Sequence, residues 1–110
     1  MAMQSGLYKV QFQTPRGAGY GVVALDNGEL RGGDSMMYYR GKYTENCNQF
    51  TAQVEAKQHS QVPGMSSIFG ANNVTISIRG TTSGNSAQLT GNSPQAPGVQ
   101  MQATLTWLCP

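Results

Sequence analysis

Charge is scarce in this chain. Its 110 residues include seven Lys and Arg, five Asp and Glu and a single His, for a formal net charge of +2. The basic residues Lys9, Arg16, Arg31, Arg40, Lys42, Lys57 and Arg79 are spread along the sequence. Grip on a phosphate backbone needs such residues gathered on one face, so no nucleic-acid partner is expected. Only two cysteines occur, Cys47 and Cys109. Their positions give neither metal-ligand spacing nor a small disulfide framework. Long apolar runs are missing too, and nothing approaches the roughly 20 residues of a membrane helix. An outer-membrane barrel would need longer strands and girdles of aromatics. The segment Met1 to Gly6 has neither the basic start nor the apolar centre of a secretory signal. A cytoplasmic location with reduced thiols follows as the expectation, and Asn73-Val74-Thr75 then reads as an unused glycosylation acceptor.

Catalytic groups are equally few. His59 is the only histidine, in an irregular stretch. Three of the carboxylates Asp26, Glu29, Asp34, Glu45 and Glu55 lie in or beside turns. A turn Asp ordinarily caps its own backbone, which favours a structural role. The run Gly17-Ala18-Gly19-Tyr20-Gly21 lacks both the glycine spacing and the following helix of a dinucleotide site. The chain is therefore expected not to be an enzyme and to hold no metal or cofactor. A nucleophile and base built from Cys47 and His59 is the one enzymatic alternative, and it requires the two side chains within hydrogen-bonding reach.

What the chain does have is alternation. Val74/Ile76/Ile78, Phe50/Ala52/Val54/Ala56 and Val99/Met101/Ala103/Leu105/Trp107 put apolar side chains at every second position, with Gln, Thr, Ser and Lys between them. Successive side chains on a strand point to opposite faces, so this period describes sheets with one buried and one wet face. Strands are expected over Gly6–Thr14, Ala18–Leu25, Glu29–Arg31, Met36–Thr44, Gln49–Lys57, Asn73–Arg79, Ser86–Thr90 and Val99–Leu108. Asn27-Gly28 is the strongest hairpin signal, because both residues accept the positive φ of a two-residue type I′ loop. Glu45-Asn46-Cys47-Asn48 reads as a second turn, and Gly91 to Gly98, with Pro94 and Pro97, as an exposed loop. From Gln58 to Gly70 the alternation stops. Val62, Met65, Ile68 and Phe69 then recur at spacings near three and four, which suggests a loop with at most one or two helical turns capping one end of the sheet.

About eight strands on short turns favour one domain, residues 1–110, folded as an up-and-down antiparallel barrel, since closure removes exposed sheet edges. An open sandwich is the alternative. Phe12, Phe50, Met101 and Trp107 belong to the inward set, and they either fill a core or line a cavity for one small apolar ligand. A ligand carrier requires a continuous cavity of roughly a few hundred Å³. Outside, Met36, Met37, Tyr38 and Tyr39 place soft and aromatic groups on both faces of one strand, a composition enriched at interfaces. One of the two tyrosines should meet solvent or a partner. Self-association through the uncharged outer face is a further expectation.

The segments Gly6-Leu7-Tyr8-Lys9-Val10-Gln11-Phe12, Gly19-Tyr20-Gly21-Val22-Val23-Ala24-Leu25, Asn27-Gly28-Glu29-Leu30, Gly32-Gly33-Asp34-Ser35 and Tyr39-Arg40-Gly41-Lys42-Tyr43 together resemble the GrlR family. That family contains the negative regulator of a type III secretion locus and many relatives of unassigned role. The resemblance runs to about Gly80 and loosens thereafter. It implies a small lipocalin-like eight-stranded barrel, commonly a homodimer, that captures a transcriptional activator rather than touching DNA. An acidic surface loop takes part in that capture, and the matching positions are Glu45, Asn46, Cys47 and Asn48. Only Glu45 keeps a charge there, which removes most of the attraction such a loop exerts on a basic partner. The expected protein contacts are these four residues together with Tyr38 and Tyr39.

Overall fold

A computed structural model describes residues 3–64 and 69–110. Eight strands run β1 (Gly6–Thr14), β2 (Gly17–Asp26), β3 (Glu29–Gly33), β4 (Met37–Asn46), β5 (Gln49–Gln58), β6 (Asn73–Ser83), β7 (Ser86–Asn92) and β8 (Gln100–Cys109). Each pairs antiparallel with the next, and β8 pairs back onto β1 from Leu7↔Cys109 to Gln13↔Gln102. The sheet is thus a closed up-and-down barrel, and no strand edge is left unpaired around its circumference. Antiparallel neighbours and tight turns suit a chain whose apolar residues recur every second position, because one face of each strand must be buried.

Burial follows the expected phase. On β5, Phe50, Ala52, Val54 and Ala56 are buried while Gln49, Thr51 and Gln53 are exposed, and β7 and β8 alternate in the same way. The inward side chains form one continuous core that includes Tyr8, Leu25, Phe50, Ile76, Leu89 and Leu105. Glycines mark where strands come closest. A Cβ on Gly41 would stand 2.0 Å from the Gln53 carbonyl oxygen, and one on Gly80 would stand 2.0 Å from that of Gln88. These are corners where the sheet coils tightly enough to close, and only glycine leaves room for the neighbouring backbone.

Several boundaries differ from the sequence reading. Asn27-Gly28 forms its two-residue loop with φ of 50° and 82°. The β4–β5 hairpin is equally tight: β4 runs through Asn46, and only Cys47 and Asn48, with φ of 52° and 64°, make the turn. Glu45 is therefore a strand residue, because ladder pairing with Phe50 captures it from the expected turn. Strand β3 extends to Gly33 and β7 to Asn92, where pairing with neighbours overrides the local preference of glycine and asparagine for turns. Between β5 and β6 the described residues hold no helix, and the expected positions Met65 and Ile68 lie outside them. Phe69 is buried against the core and Val62 half-buried.

Candidate ligand cavity and outer face

The two ends of the barrel are built from different side chains. At the end holding the start of β1 and the finish of β8, Tyr8 is fully buried and meets Trp107 edge to face at 5.4 Å. Tyr43 stacks on Phe50, also at 5.4 Å. The Tyr8 hydroxyl donates to the Gln4 carbonyl oxygen at 2.7 Å. Burial pushes that phenol's pKa up, and the nearby Tyr43 and Glu45 add to the effect. Glu45 points inward here. One carboxylate oxygen accepts from the Met3 backbone N–H at 2.7 Å and the other from the Thr82 hydroxyl at 2.6 Å. Residues ahead of β1 thus fold across this end, and the polar groups beneath them are paired.

Toward the opposite end the inward side chains shrink to Gly19, Val54, Ala56 and Ala103, and a cavity of about 160 Å³ lies among them. It is bounded by all three phenylalanines of the chain, Phe12, Phe50 and Phe69, and by Met36, Met37 and Met101. The exposed residues Ala18, Tyr20 and Ser35 also belong to its lining, so it reaches the surface where the β1–β2 turn meets the β3–β4 connection. Phe12 lies over Gly19, whose added Cβ would come within 2.7 Å of its ring. The interior is therefore not solid, but at about 160 Å³ it falls short of the roughly few hundred Å³ expected for a carrier of a small apolar ligand.

Polar groups touch this cavity on one side. Asp34, between β3 and β4, accepts from the backbone N–H groups of Met36 and Met37 through Oδ1 at 2.9 and 2.8 Å. It thereby caps its own turn, the role read from its position in the sequence. Its other oxygen accepts from the Tyr39 hydroxyl. Burial and this bond to a carboxylate raise the Tyr39 pKa far above that of a free tyrosine, and the phenol keeps its proton. His59 donates from Nε2 to the Asp34 carbonyl oxygen at 3.0 Å, and its Nδ1 pairs with the Ser60 hydroxyl at 2.7 Å. With the His59 and Ser60 backbone N–H groups both directed at the Met36 carbonyl oxygen, this clamps the segment after β5 onto the β3–β4 connection.

The remaining sequence-derived candidates separate. Tyr38 faces outward with 42% of its surface exposed, and Tyr39 faces into the barrel and is half-buried. Asn46, Cys47 and Asn48 are exposed at a hairpin tip, while Glu45 is turned away from that tip and doubly hydrogen-bonded. Cys47 and His59 lie beyond opposite ends of the ten-residue β5, which spans about 30 Å at the usual rise per residue. They form no nucleophile and base pair. Both cysteines are free and exposed. No group of three or more His, Cys, Asp or Glu able to hold a metal ion occurs among the described residues, and no helix there is long and apolar enough to cross a membrane.

One feature escaped the sequence reading. Outward along β2 stand Ala18, Tyr20, Val22 and Ala24, all exposed and uncharged, with Asp26 the one charged outward position at the strand's end. Val22 pairs with Gly33, and Gly33 pairs with Tyr38, so a residue without a side chain separates two exposed apolar ones. Tyr20 is 65% exposed and Val22 42%. Lys9 stands opposite Val22, Lys57 opposite Tyr38, and Arg31 opposite Arg40. Pairing of β1 through β5 therefore gathers cations that the sequence scatters. Glu55 answers two of them, at 3.2 Å from Arg40 and 3.9 Å from Lys57. The only signal available beforehand was that β2 is apolar at odd and even positions alike. Compared with known proteins, the chain matches no family model and no curated protein.

Proposed function

We propose that the protein is a non-enzymatic binding barrel that works by gripping another protein, with the outer face of β2 to β4 as the contact. The observation that carries this reading is the side-by-side exposure of Tyr20, Val22 and Tyr38 within a rim of Lys9, Arg31, Arg40 and Lys57. Exposed aromatics with an apolar centre and a charged rim are the anatomy of a protein interface. A nucleic-acid surface would instead string its cations along a groove. The resemblance to the GrlR family supports a regulatory role in the cytoplasm, as a homodimer that restrains a transcriptional activator. The contact moves, however, from the Glu45–Asn48 hairpin to this face, since Glu45 is spent inside the barrel. Affinity capture from cell extract checks the assignment. One specific protein should be retained by the wild type and by a variant carrying Asn46→Ala and Asn48→Ala, and lost on Val22→Asp. Loss on the hairpin variant with retention on Val22→Asp would reverse it.

A second reading rests on a different observation, the apolar cavity of about 160 Å³. An apolar space of about 150 Å³ admits a benzene ring. On this reading the barrel carries or senses a small apolar molecule. Methyl shifts of Met36, Met37 and Met101 on addition of toluene would support it.

A further inference from the structure

Resting on that second reading, we propose that the cavity selects a single-ring aromatic molecule bearing a hydrogen-bond donor, with the ring among the phenylalanines and methionines and the donor on the Asp34–Tyr39 pair. Size sets the first limit, because about 160 Å³ takes one ring and excludes the acyl chains and fused rings that larger barrels enclose. The walls set the second. Phe12, Phe50 and Phe69 offer ring edges and faces, and Met36, Met37 and Met101 offer adaptable thioethers that pack favourably on aromatic guests. Phe12 and Tyr39 already meet edge to face, at 6.4 Å and 89°.

Polarity sets the third limit. Asp34 brings acceptors only, and Tyr39 has committed its proton to Asp34, so what this pair offers a guest is oxygen lone pairs and no hydrogen. His59 is turned to the Asp34 backbone and to Ser60 and supplies no competing cation to the cavity. A phenol hydroxyl or an aromatic amine satisfies such a wall. A carboxylate brings a like charge against Asp34 and loses the hydrogen bond as well. The site thus favours the opposite polarity from that needed for a fatty or aromatic acid.

Titration calorimetry of the whole chain with phenol, benzylamine, toluene and benzoate, with methyl shifts to locate each probe, tests this. Phenol and benzylamine should bind about tenfold or more tighter than toluene, the gain expected of a hydrogen bond to a charged acceptor, and benzoate more weakly than toluene. Asp34→Asn should bring benzylamine to within about threefold of toluene without changing toluene itself. Tyr39→Phe should keep the benzylamine preference, since the carboxylate remains, and this variant decides the matter if Asp34→Asn melts early. Equal affinity for phenol, benzylamine and toluene, with the methionine methyls shifting, would overturn the donor selectivity and leave the cavity reading intact. Benzoate as the tightest probe would do the same. If none of the four moves those methyls, the cavity reading falls and this inference with it.

Discussion

At one end of the barrel stand the buried Tyr8 and the half-buried Tyr43, Glu45 and Trp107, whereas Gly19, Ala56 and Ala103 lie toward the other. Backbone geometry is common to both ends, so the contrast comes from side-chain volume and from where hydrogen bonds are spent. At the sealed end both oxygens of Glu45 are taken by Met3 and Thr82, and Tyr8 is tied to Gln4. Toward the open end Asp34 and Tyr39 satisfy each other while still lining the cavity. A sealed end contributes stability, whereas an open end gives some of it up for access, because the atoms lining a void lose packing partners.

Substitutions at matched positions sharpen or break this contrast. Tyr8→Ala strikes the most tightly enclosed side chain and should cost about 3–5 kcal/mol, read from urea unfolding. A loss below about 1 kcal/mol would show that the sealed end is not packed as described. Glu45→Gln keeps the volume and can still accept from the Met3 N–H while its amide N–H donates to a Thr82 hydroxyl turned to accept. Exchanging two bonds to a charged acceptor for neutral ones should cost about 1 kcal/mol in the same assay. Substituting valine for alanine should then change sign between the ends. Ala87, 2% exposed and away from the cavity, has no room, and Ala87→Val should cost about 1–2 kcal/mol. Ala103 lines the cavity, so Ala103→Val should stabilise by about 0.5–1 kcal/mol and weaken toluene binding. Equal losses at both sites would remove the distinction.

The smallest effect concerns pH. Folding holds the Tyr39 proton above the pH of about 10 at which an unfolded tyrosine releases it. Above that pH the unfolded chain binds fewer protons, so stability falls as pH rises and is full below it. Tyr39→Phe should lose less stability than the wild type between about pH 8 and pH 11, with a residual slope from Tyr8, whose shift has the same sign. Parallel losses in the two proteins would place Tyr39 in ordinary solvent.

Much of this was legible beforehand. The alternation in Phe50 to Ala56 and in Met101 to Leu105 set the inward face, and Asn27-Gly28 set a hairpin. Asp34 read correctly as a turn cap. Glu45 did not, because nothing local tells a hairpin tip from the last residues of a strand whose pairing continues. Tyr38 and Tyr39 were correctly divided between the two faces. Which face was the wet one depends on strand phase around the whole barrel, and Tyr38 proved to be the exposed one of the two. The Tyr20, Val22 and Tyr38 patch was hidden because its members come from β2 and β4 and meet only across Gly33.

Period-two hydrophobicity and glycine punctuation were enough by themselves to dictate antiparallel strands and to favour a barrel over an open sandwich, since each is a local property that the backbone reads within a few residues. Tertiary pairing alone decided which end is stoppered, where the cavity lies and which cations surround the exposed aromatics. Those outcomes depend on volumes and charges contributed by residues far apart in the chain, whose sums exist only once the strands have paired.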